Sequence, residues 1–186
     1  MKKTGPVVKR RPRDRSTPLG GWDGKAPLTR EEALALLREN ASRLAAVARG
    51  VPPDRLHIGA RPDEWSPNDV LAHIRACCDV WGGNIARILA EEHATFAGMN
   101  PRTWMKRTDY PEWPFAKALR AFSAQRKKLL ATLDALTPDD WERTATVTAY
   151  GQANERTLRS YASQLAKHER THVQQIESDL RPTARR

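Results

Sequence analysis

Apolar residues recur at steps of three and four along four stretches of this chain, a spacing that predicts four amphipathic helices. The first opens at Thr29, with Glu32 placed to complete a capping box; Leu34, Leu37, Ala41, Leu44 and Val47 form its face and Gly50 stops it. A loop with Pro52 and Pro53 follows. The second helix has the clearest start. Ser66 caps, Pro67 suits the first helical position and Asp69 favours the positive end of the helix dipole. Val70, His73, Ile74, Cys77, Trp81, Ile85 and Ile88 make its apolar face, which fades between Glu92 and Gly98. A long connection with Trp104, Tyr110 and Trp113 leads to the third helix, which starts near Pro114 and shows Phe115, Leu119, Phe122, Leu129, Leu133 and Leu136. Thr137-Pro138-Asp139-Asp140 begins a short helical turn. The fourth helix runs from Thr157 to Leu180 and lines up Tyr161, Leu165, His168, His172 and Ile176.

Between Thr144 and Arg156 the residues alternate at first and then lose any pattern, so the segment reads as either a short extended piece or a loop. No strand ladder stands out. The expected fold is all-α, a four-helix bundle over 29–181, with a connection between helices two and three long enough to cross over the bundle.

Composition changes this picture only at the ends. Hydrophobic residues make up 39% of the 186, and the shortfall lies in polar termini. Residues 1–28 carry eight Lys/Arg against two Asp, so they supply +6 of the net charge of +10. Arg181, Arg185 and Arg186 add positive charge at the other end, leaving the folded part near neutrality. Residues 1–28 are therefore expected to be a disordered basic tail and 182–186 a basic C-terminal end. Nucleic-acid binding is not expected, because the bundle has no basic stripe interleaved with aromatics. No apolar run approaches the roughly 18–20 residues of a membrane span, and no apolar stretch follows the N-terminal charges. Cys77 and Cys78 are adjacent and point about 100° apart on a helix, so they are expected as free thiols in a cytoplasmic protein.

The candidate chemistry lies in the histidines. His168 and His172 stand four apart on an apolar face, with Cβ atoms about 5–6 Å apart, close enough for both rings to reach one metal ion. His73 also sits on an apolar face. Spacing alone leaves two readings open: a three-histidine metal site, or histidines hydrogen-bonded in the core. The run His168-Glu169-Arg170-Thr171-His172 matches the zinc-protease string, but the chain has Gln175 and Ser178 where the longer motif needs Gly and His, and little sequence follows. His57 and His93 read as surface residues.

At three places the chain resembles the DinB/YfiT-like superfamily of metal-binding helical bundles. These are Trp65-Ser66-Pro67-Asn68-Asp69-Val70-Leu71-Ala72-His73-Ile74, then Leu136-Thr137-Pro138-Asp139-Asp140-Trp141-Glu142-Arg143 with Gly151, and His168-Glu169-Arg170-Thr171-His172-Val173-Gln174-Gln175-Ile176. The resemblance covers about residues 30–180 and leaves out the basic tail. It implies that His73, His168 and His172 bind a divalent ion, zinc or nickel. It also implies a metal-dependent thiol S-transferase or hydrolase acting on small molecules with a low-molecular-weight thiol, in some relatives as a homodimer. Glu169 is the candidate proton acceptor beside the ion. Asp69, one turn before His73, is the candidate to orient that ring. Cys77, one turn after His73, could approach the site. The alternative is a non-catalytic, metal-stabilised helical module that binds a ligand or partner.

Overall fold

Capping residues set where the helices begin. Thr29, Ser66 and Thr137 each accept a hydrogen bond from the backbone N–H three residues on, and Glu32, Asp69 and Asp140 return the bond to the cap. In the computed structural model, which describes residues 26–149 and 151–181, the elements in order are α1 (Arg30–Val47), α2 (Pro67–Ala90), β1 (Ala94–Ala97), α3 (Pro101–Met105), α4 (Phe115–Asp134), α5 (Pro138–Glu142), β2 (Thr144–Ala149), β3 (Gln152–Thr157) and α6 (Leu158–Asp179). Short 3-10 turns occur at Pro53–His57 and Tyr110–Glu112.

The four long helices α1, α2, α4 and α6 form the expected bundle. α6 and α4 each pack against both α1 and α2. Sequence neighbours α1 and α2 therefore take opposite corners, and residues 48–66 must span between them. Leu37, Leu44, Leu71, Ile74, Ile85, Ile88, Phe122 and Leu165 fill the interior. None of the described helices is long and apolar enough to cross a membrane.

A three-stranded sheet, ordered β1-β2-β3, lies beside the bundle. β1 runs parallel to β2, with Phe96 opposite Val147, and β2 runs antiparallel to β3, with Val147 opposite Asn154. The turn between β2 and β3 uses Gly151 at a φ of 74°, a left-handed conformation that glycine adopts without steric cost. This corrects the absence of a ladder in the sequence reading. The strands are short, β1 shows its buried–exposed alternation over only four residues, and Gln152–Glu155 of the edge strand are exposed and carry no apolar pattern.

The expectations for residues 1–25 and 182–186 lie outside the described residues. Residues 26–28, expected to belong to the tail, touch the bundle: the Leu28 N–H donates to Ser163 Oγ at 2.9 Å, and Lys167 Nζ donates to the Ala26 carbonyl at 3.4 Å.

Candidate metal centre

Packing of α2 against α6 brings their histidines together. His168 Nε2 lies 3.1 Å from His73 Nε2 and 3.1 Å from His172 Nε2. The His73 and His172 rings stand edge to face with centroids 4.9 Å apart. Cys77, one turn after His73, puts its Sγ 3.5 Å from His73 Nε2. His73, Cys77 and His168 place one donor atom each within 4.8 Å of the others. Trp65 packs on His73 and Trp81 on His168, at centroid distances of 5.2 and 5.1 Å. His73, His172 and Cys77 are buried, and His168 is half-buried.

The protonation of this cluster suits a cation. Burial first, then repulsion from His172, His168 and Arg102, lowers the His73 pKa to about 2, so its ring is neutral. Gln175 Oε1, 3.1 Å from His172 Nδ1, can only accept, so Nδ1 carries a proton and, in the neutral ring, Nε2 is the lone pair. His168 Nε2 then faces two ring nitrogens and carries at most one proton to share between them. A positive ion at this point would take the place of such shared protons. Neutral imidazoles with a nearby thiol make a donor set suited to a divalent first-row ion.

Two expected roles are corrected. Glu169 does not face the histidines. It is buried and ion-paired with Arg126 of α4, itself buried. Burial pushes the Glu169 carboxyl up, against the pull of Arg126. The step from residue 168 to 169 turns about 100° round the helix, and that turn separates the two side chains. Asp69 does not orient His73 either. Its Oδ2 accepts from Ser66 N at 3.1 Å and Ser66 Oγ at 2.7 Å, and His73 Nδ1 is buried with no hydrogen-bond partner. The capping box occupies the carboxylate one turn short of the ring. His57 and His93 are exposed. Gln175, missed in the sequence reading, was signalled by its position three residues after His172 on the same helix face.

The chain matches the DinB superfamily over residues 36–176. It is a member of that superfamily. Among solved structures it is similar to YfiT from Bacillus subtilis, described as a probable metal-dependent hydrolase with an unusual four-helix bundle topology. The two share 16% sequence identity with a TM-score of 0.63, over 91% of each chain. At that identity the likeness establishes the fold. No curated protein matches the sequence.

In this DinB-superfamily protein a cleft of about 560 Å³ opens between the sheet and α2. Val147 and Ala149 of β2 and Gln152, Asn154 and Arg156 of β3 form one wall. Trp81 and Asn84 of α2 with Tyr161 of α6 form another, and the segment from Gly98 to Thr103 borders the opening. Trp81 therefore packs on His168 and also lines the cleft. Burial raises the Tyr161 hydroxyl to about 12, against the opposing effects of a hydrogen bond from Asn84 and the charge of Arg156, so it stays protonated at neutral pH.

Proposed function

We propose that His73, His168 and His172 hold a divalent ion, zinc or nickel, and that the protein uses it on small molecules, as a hydrolase or as a transferase of a low-molecular-weight thiol. The observation that carries this reading is the meeting of three Nε2 atoms from two helices, with His168 at 3.1 Å from each of its neighbours. A divalent ion held by neutral imidazoles supplies positive charge that acidifies water or a thiol toward neutrality. The chain's own residues do the rest. Gln175 fixes the His172 tautomer, and Trp81 braces His168 while walling a cleft large enough for a small substrate. His168, half-buried, is the ligand that packs against this tryptophan. The description of YfiT as a probable metal-dependent hydrolase supports the same chemistry.

Elemental analysis of protein purified without chelator or histidine tag tests the site. Stoichiometric zinc or nickel is expected, with loss in His168→Ala. A monodisperse, folded wild type that neither carries nor takes up a divalent ion would refute it.

Cys77 favours a second reading. Its Sγ, 3.5 Å from His73 Nε2, lies within 4.8 Å of the donor atoms of both His73 and His168 and would add a sulfur to the shell of an ion held there. A closed shell of that kind suits a structural ion in a binding module rather than an open catalytic one. Cobalt substitution separates the two. Intense near-ultraviolet sulfur-to-cobalt absorption that disappears in Cys77→Ser supports the closed shell, and its absence supports the open one.

A further inference from the structure

We propose that the cleft between the sheet and α2 binds a small molecule bearing a carboxylate, with Arg156 taking the carboxylate. The proposal relies on the metal reading for what becomes of the ligand, but not for its binding.

Side chains alternate across a strand, so Gln152, Asn154 and Arg156 share the face of β3 that meets the cleft. The first two are exposed, whereas Arg156 is half-buried at the inner end, where β3 joins α6. Arg156 is the single charged side chain among the described residues lining the cleft; the others are amide, hydroxyl or apolar. Its position is also felt by the Tyr161 hydroxyl across the cleft. A guanidinium in a partly enclosed site favours an anion, and its planar fork matches a carboxylate in a two-bond arrangement. A doubly charged phosphate calls for further cations, and none lines the cleft among the described residues.

The remaining surface describes the rest of the ligand. Trp81 and Val147 offer apolar surface on either wall for a flat or aliphatic body, and Asn84 and Asn154 offer amides that can donate or accept. The ligand class is therefore a compact carboxylic acid with an apolar body.

Fluorine NMR titration with para-fluorophenylacetate and its neutral isostere para-fluorophenylacetamide tests this on the full chain as purified. The readout is line broadening of the probe, independent of activity and metal. The acid should bind at least about tenfold tighter than the amide, as expected for one charge-assisted pair. Arg156→Gln should abolish that preference with an unchanged circular dichroism spectrum, and Arg156→Lys should keep part of it. Equal binding of acid and amide, binding of neither at millimolar concentration, or a preference that survives in Arg156→Gln would overturn the proposal. Elemental analysis of the same samples keeps the two readings apart. Acid preference lost in Arg156→Gln, with wild type that neither carries nor takes up a divalent ion, would sink the metal reading and leave this one standing.

Discussion

Arg126 and Glu169 form the most heavily buried ion pair among the described residues, with side chains 2% and 1% exposed. Arg126 Nε and Nη1 and Glu169 Oε1 have no hydrogen-bond partner in the structure, so the pair is incompletely satisfied. Breaking such a pair strands a buried charge, whereas replacing both partners removes the problem. Glu169→Ala should destabilise the protein by about 3–5 kcal/mol, and Arg126→Met with Glu169→Leu should recover most of that loss. Urea unfolding measures both; a single variant as stable as wild type would show that the pair carries no such charge cost. A second residue-scale prediction concerns Gln175. Gln175→Leu leaves His172 Nδ1 without its acceptor and should lower metal affinity by about 10–100-fold with little loss of fold, read by competition with a chromophoric chelator. At this scale the sequence was informative where geometry follows from spacing alone. His168 and His172 share a face whatever surrounds them. Glu169 and Asp69 depended on what else competes for a carboxylate, namely Arg126 from a distant helix and Ser66 at the cap, and only the fold brings Arg126 close.

The helices were legible as elements because each shows its apolar period over several turns and carries a recognisable cap. The sheet was not, because its strands are short and β3 buries almost nothing. The connection between α2 and α4 was seen as rich in aromatics without any sign of how it is held. It is held by Asp79 of α2, whose Oδ2 accepts from Trp104 Nε1 at 3.0 Å and Tyr110 OH at 2.8 Å, while Oδ1 accepts from Gln125 Nε2 at 2.5 Å. Beside it the guanidinium of Arg75 stacks between Tyr110 and Trp113, at 3.7 and 4.4 Å from the ring centres. Asp79→Ala should cost about 1–3 kcal/mol by leaving these donors unpaired. Limited proteolysis should then cut within residues 99–113 sooner than in wild type, with helical circular dichroism retained. Unchanged cleavage would mean that stacking on Arg75 suffices to hold the connection. Leu165→Ala, in the fully buried face of α6, should cost about 2–5 kcal/mol, measured by the same denaturation.

Across the whole molecule the charge is uneven, with +6 of the net +10 in residues 1–28. Deleting residues 1–25 should leave metal content and thermal midpoint unchanged. It should also remove weak binding to polyanions that falls steeply between about 50 and 200 mM salt. Tight binding near physiological salt that disappears with the deletion would instead give the tail a nucleic-acid role. The bundle ring has another consequence, which lies in time rather than space. α6 packs against both α1 and α2, and of the described helices it is the last to be synthesised. It also brings two of the three histidines. On the ribosome, a nascent chain that has released α1 through β3 can offer only His73 and Cys77 of the proposed site's donors, one turn apart on a single helix. The proposed three-histidine site cannot form until α6 docks, so metal capture would follow that docking rather than direct the early steps of folding.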